Sequence, residues 1–81
     1  MSQVLVRYFA AARHVVGIAQ ETLDGSGGLT QIVSELSQRS DEVRAVVSRC
    51  TFLVDRRRIS PTDEPLADGV TVDVLPPFAG G

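Results

Sequence analysis

The chain runs out on Pro76-Pro77-Phe78-Ala79-Gly80-Gly81, and the group best suited to chemistry is the α-carboxylate of Gly81. At an average glycine usage of about 7%, a Gly-Gly end arises by chance roughly once in 200 sequences. Glycine has no Cβ, so Gly80 and Gly81 can thread a narrow channel and take dihedrals closed to other residues. Pro76 and Pro77 stiffen the base of this stalk, and Ala79 adds little bulk above it. A carboxylate is a poor electrophile, because its leaving group would be oxide. Conversion to an acyl phosphate anhydride by a nucleotide removes that obstacle. The sequence therefore predicts that Gly81 is activated by a second protein that supplies ATP. This chain has no Gly-x-x-x-x-Gly-Lys-Ser/Thr phosphate loop, and no lysine at all. A frayed terminus is the plainer alternative, since chain ends are often disordered.

Other catalytic sets are poorly supplied. Cys50 is the one cysteine and His14 the one histidine, too few for a disulfide, a metal cluster or a zinc site. No nucleophile-elbow pattern occurs. Cys50 falls on an apolar helical stripe, which predicts burial and inertness. Ordering the tail costs roughly 1–2 kcal/mol per residue in backbone entropy, so the body must offer a docking surface that offsets it. Phe9, Leu75 and Phe78 are the candidates for that surface, with Ile59 joining them, because an exposed apolar patch marks a partner site. Curling of the sheet could instead bury one or two of them. Arg7 and Asp73 are predicted to face each other on the same side as a solvated pair. Arg56-Arg57-Arg58 reads as a solvated hairpin. Steering toward an acidic partner and a weak nucleic-acid patch are the alternatives.

These residues need elements to hold them. Residues 3–9 read as a strand with Val4, Val6 and Tyr8 on one face and Leu5, Arg7 and Phe9 on the other. Residues 10–16 favour a short helix closed by Gly17. Residues 18–23 suit a second strand, and residues 24–28 a loop. Leu29, Ile32, Val33 and Leu36 form a helical stripe behind a Gly28 N-cap. Ser40 caps a further helix carrying Val43, Val46, Val47 and Cys50. Residues 51–54 form a third strand, Ile59 begins a fourth, and Leu66 anchors the turn-rich stretch 61–69. Residues 70–75 form the last strand, with Val70, Val72 and Val74 inward. This order predicts an α+β protein of β-grasp type: a mixed sheet of four to five strands packed on one main helix plus short helices, the first and last strands adjacent and parallel. It is one domain, 1–81, with a tail at 76–81.

Length and charge bound the possibilities. An 81-residue chain buries about 60–65% of its unfolded surface, enough for one core but not a large substrate cavity. A net charge of −2 gives no global attraction to nucleic acid or to an anionic membrane. No apolar run is long enough for a transmembrane helix, and Met-Ser-Gln-Val does not begin like a signal peptide. A cytoplasmic location is the expectation.

Tyr8-Phe9-Ala10, Arg13-His14-Val15-Val16-Gly17, Pro65-Leu66-Ala67-Asp68-Gly69 and terminal Leu75-Pro76-Pro77-Phe78-Ala79-Gly80-Gly81 together resemble the small subunits of molybdopterin synthase, which are ubiquitin-like sulfur carriers. The resemblance spans the chain. His14 stands where that family usually has an acidic residue, and Val54-Asp55 where it commonly has Val-Asn. The resemblance implies that an ATP-dependent activating enzyme adenylates Gly81 and that a sulfur donor then leaves a thiocarboxylate. It implies docking on a large catalytic subunit in a heterotetramer, and sulfur donation to precursor Z in building molybdopterin. No bound cofactor is implied, and acid-base catalysis falls to the large subunit. Carriage of sulfur for thiamine or cysteine synthesis, conjugation to proteins, and a tail-independent β-grasp interaction module remain the alternatives.

Overall fold

The computed structural model describes residues 2–77. Its elements are β1 (Gln3–Tyr8), α1 (Ala10–Val16), β2 (Gln20–Asp24), α2 (Gly28–Ser37), α3 (Asp41–Val47), β3 (Thr51–Val54), β4 (Arg57–Arg58) and β5 (Thr71–Leu75). The sheet runs β2-β1-β5-β3-β4. β1 and β5 pair in parallel at its centre, with Val6 opposite Val72 and Arg7 opposite Asp73. The remaining pairs are antiparallel. This is the β-grasp arrangement predicted from the element order.

Alternation along the strands decides which side is covered. Val4, Val6 and Tyr8 of β1, Phe52 of β3, and Val72 and Val74 of β5 point to one face and are buried. Leu29, Ile32 and Leu36 of α2 close over them, with Val43 and Val47 of α3 and Ala12 of α1. Gly17 ends α1 at φ 91°, and its N–H donates to the Arg13 carbonyl at 2.9 Å. Ser40 Oγ accepts from the Val43 N–H at 3.0 Å, which starts α3. Among the described residues no helix is long and apolar enough to cross a membrane.

Four local expectations need correction. β2 begins at Gln20, not residue 18, and Ile18 is exposed. The N-cap of α2 is Gly27, and Gly28 is its first residue, at φ 80°. The cause lies far away in sequence: the strap 61–69 crosses the helix start, and Thr30 N–H donates to the Thr62 carbonyl at 3.1 Å. The strap is tied down by Leu66 N–H to the Gly25 carbonyl at 2.9 Å and by the Ser2 hydroxyl to the Leu66 carbonyl at 2.6 Å. β5 starts at Thr71, one residue later than predicted.

The fourth correction concerns the hairpin after β3. β4 is Arg57–Arg58, and Ile59 lies beyond it rather than opening it. Val54 pairs with Arg57, leaving a two-residue turn of Asp55 (φ 47°) and Arg56 (φ 70°). Left-handed dihedrals at both central positions match the twist of a hairpin. Asp55 secures the turn by donating its N–H to the Thr71 carbonyl at 2.8 Å and accepting the Thr71 N–H at 2.9 Å. Arginine at φ 70° is strained by about 1 kcal/mol. Arg56→Gly is therefore expected to raise the melting temperature by about 4–8 °C, as read by circular dichroism. A lower melting temperature would show that the arginine side chain holds the turn.

Candidate functional site

β5 delivers the chain to the tail. Leu75 is half-buried at its end, Pro76 is buried, and Pro77 is exposed. Proline at 76 cannot donate to the ladder, so pairing stops there. A groove of about 290 Å³ lies beside this root, lined by Ala11 of α1, Ala45, Val46 and Arg49 from α3 and its end, and both prolines. Phe78, Ala79, Gly80 and Gly81 lie outside the described residues.

The uncovered face of the sheet carries Phe9 and Leu75 of the predicted residues. Phe9 directly follows β1, is 37% exposed, and donates its N–H to the Val74 carbonyl at 3.3 Å. That continues the β1–β5 register and sets Phe9 beside Leu75. Ile59 is as exposed as Phe9 but stands elsewhere. Its N–H donates to the Phe52 carbonyl at 3.0 Å, so the register turns it toward the Phe52 side, near Cys50 and Pro61. Phe9 and Leu75 are thus brought together, and Ile59 is not. Leu5 and Leu53, both half-buried, complete the outer face.

Arg7 and Asp73 sit at the middle of that face. Arg7 Nε donates to Asp73 Oδ1 at 2.6 Å and Nη2 to Oδ2 at 3.0 Å. The Arg7 guanidinium also lies 5.6 Å from the centre of the Phe9 ring. The pair is solvated at one end only: the Arg7 side chain is 41% exposed, whereas Asp73 is 6% exposed, between β1 and β3 on the central strand. Its two-point hydrogen bonding is what allows a carboxylate to be covered there.

A second polar cluster, not anticipated from sequence, braces the opposite side. The Tyr8 hydroxyl donates to Glu21 at 2.5 Å, and Arg39, just beyond α2, donates to both Glu21 oxygens at 2.6 and 3.1 Å. Burial, then the Glu21 hydrogen bond, raises the Tyr8 pKa and keeps the hydroxyl protonated. Partial burial alone would raise the Glu21 carboxyl. The hydrogen bonds from Arg39 and Tyr8 outweigh it and hold the group below its ordinary 4.5. A carboxyl depressed in the folded state stabilises above its unfolded pKa, and the benefit is lost as pH falls through the folded value. Urea midpoints should therefore drop as pH falls from about 5 toward 3, and Glu21→Gln should flatten that slope. An identical slope in the variant would assign the acid sensitivity to other carboxylates.

Cys50 is half-buried, its Sγ–H donating to the Val46 carbonyl at 3.3 Å, and burial pushes its thiol up to about 11. A thiol in that range is not a nucleophile at neutral pH. It lies just past α3 rather than on it. His14 is exposed on α1. Among the described residues no three His, Cys, Asp or Glu side chains gather to hold a metal ion. What the body offers is two faces, one apolar with a central ion pair and one grooved beside Pro76 and Pro77.

Comparison with known proteins gives this geometry a context. The model of the ThiS family matches residues 6–81. A molybdopterin synthase sulfur carrier subunit from Chlamydomonas reinhardtii is 32% identical, over 98% of this chain and 99% of its own length. A putative molybdopterin converting factor subunit 1 from Pyrococcus furiosus superposes with a TM-score of 0.80 at 27% identity, covering 96% of this chain and all of that one. A chain of the complex of subunits 1 and 2 of the molybdopterin-converting factor from Helicobacter pylori shares the fold. Its TM-score is 0.73 at 23% identity, over 98% of this chain and 99% of that one.

Proposed function

The chain belongs to the ThiS family, and on that premise we propose that it is a sulfur carrier for molybdopterin synthesis, working through the carboxylate of Gly81. The observation that carries this reading is end-to-end similarity to the Chlamydomonas sulfur carrier subunit, over nearly the whole of both chains. The tail root is consistent with it: Pro76 and Pro77 follow directly on β5, the central strand of the sheet.

The chemistry follows from what the chain lacks. An activating enzyme joins the Gly81 carboxylate to AMP from ATP, releasing pyrophosphate. A sulfur donor then displaces AMP, and a thiocarboxylate remains. The carrier docks its outer face, with Phe9 and Leu75, on a large subunit and inserts the tail. The thiocarboxylate there gives its sulfur to precursor Z, and water supplies the oxygen that restores the Gly81 carboxylate. In the Helicobacter protein, subunit 1 is found in complex with subunit 2, and the corresponding large subunit is the partner proposed here, two copies of each forming a heterotetramer in the cytoplasm. The small chain holds no cofactor in this scheme.

The test is intact mass after incubation with the activating enzyme of the same genome, ATP and a sulfur source. The expected result is the increase for one oxygen exchanged for sulfur, and capture of the large subunit by chain tagged at Met1. Capture of a thiazole synthase instead would move the chain to thiamine synthesis. An unchanged mass would remove the sulfur-carrier reading altogether.

A further inference from the structure

We infer that the β3–β4 hairpin is a recognition element for an acidic segment of a protein partner, held at the far end of the outer face from the tail. Arg56, Arg57 and Arg58 are three of the eight basic residues, consecutive and exposed. The net charge is −2 with these three arginines and −5 without them. Positive charge is therefore gathered at one corner of an otherwise acidic body.

Two features make this corner more than a solvated turn. Arg56 occupies a left-handed position, φ 70°, where glycine would be the least strained residue. Backbone strain of this kind persists where surrounding contacts over-determine it and gathers at functional surfaces. The contacts here are the paired hydrogen bonds of Asp55 with Thr71. The nearby carboxylates are also already engaged. Asp55 accepts from the Thr71 N–H, and Asp73 from Arg7. Among the described residues none of the three arginines makes an ion pair. Beside them lies a depression of about 260 Å³ lined by Arg7, Asp55, Arg56, Thr71 and Asp73. A guanidinium at such a rim takes a carboxylate through two parallel hydrogen bonds.

β3 runs antiparallel to β5, with Thr51 opposite Leu75 and Val54 opposite Val72. The hairpin thus sits about 13 Å from the tail root, four residues at roughly 3.3 Å each. A partner held at the tail by Gly81 and at the corner by acidic side chains is fixed in orientation as well as position. Charge of this kind acts mainly on encounter rate and specificity. A nucleic-acid strand is the poorer fit, since a polyphosphate would meet the remaining net charge of −5 next to a three-residue footprint. The inference rests on the proposed function only for the identity of the partner.

The experiment is a titration of the ¹⁵N-labelled full chain with hexaglutamate peptide and, separately, with poly(U) at matched charge. Amide shifts from the peptide should centre on residues 54–58, Thr71 and Asp73, and fade between about 0.05 and 0.5 M NaCl. In R56G/R57S/R58S, affinity should fall about tenfold or more. R56G alone keeps the turn and controls for folding. Shifts centred elsewhere, undiminished binding by the triple variant, or tighter binding of poly(U) than of peptide would each overturn the assignment. Charging by the activating enzyme is measured on the same sample. An uncharged wild type with an arginine-dependent peptide shift removes the sulfur-carrier reading and supports this one. A charged wild type without that shift does the reverse.

Discussion

Deletion of Gly81 should lower the rate of thiocarboxylate formation by at least about 100-fold, because misplacing a reacting group by about 1 Å already costs that much. The deletion withdraws the carboxylate by roughly 3.3–3.6 Å, the reach of one extended residue. The folded body should not register the loss. Its core is built from β1, the three helices, β3 and β5, and ends at Val74. Stability should stay within about 0.5 kcal/mol of wild type, as for surface changes in general. The two readouts are intact mass after incubation with activating enzyme, ATP and sulfur source, and a urea denaturation curve. Retention of full charging by the shortened chain would show that Gly81 is not the reacting residue. Loss of charging together with unfolding would show that the tail belongs to the body after all.

The second large effect is on stability. Gly28→Ala places a methyl group against the Thr62 carbonyl oxygen and 2.6 Å from that of Glu64, both backbone atoms of the strap. It also asks alanine to hold φ 80°. The torsion alone costs about 1–2 kcal/mol, and displacing the strap brings the total to about 3 kcal/mol. That is a drop of about 12–24 °C in a domain of this size. Gly17→Ala is the control: its φ is 91°, but no atom lies within 4 Å of the added carbon. It should cost only about 1 kcal/mol. Equal losses at the two positions would mean that strap and helix do not meet as described.

The sequence was most legible where the signal is local. Parity along 3–9 and 70–75 found the inward valines, Gly17 closed α1 and Ser40 opened α3, because alternation and capping involve neighbours within a few residues. What it missed depends on contacts between distant segments. Asp73 alternates outward, and only the fork of Arg7, 66 positions away, accounts for its being covered. Glu21 and Arg39 meet across 18 positions, and neither belongs to a motif. Gly28 departs from a simple cap because of a strap more than thirty residues downstream. Arg56 in a two-residue turn defies the preference for glycine or asparagine, so a longer connection and a strand beginning at Ile59 were the natural expectation. The carboxylate proposed to react is inferred from the composition of the tail, and Gly81 lies outside the described residues.

β5 is hydrogen-bonded on both flanks, parallel to β1 and antiparallel to β3, and it leads directly into Pro76 and Pro77. Tension applied at the terminus is directed along the strand axis, so the cross-strand bonds are sheared together instead of being peeled apart one at a time. A pull on the tail would thus load the β1–β5 and β3–β5 ladders at the same time.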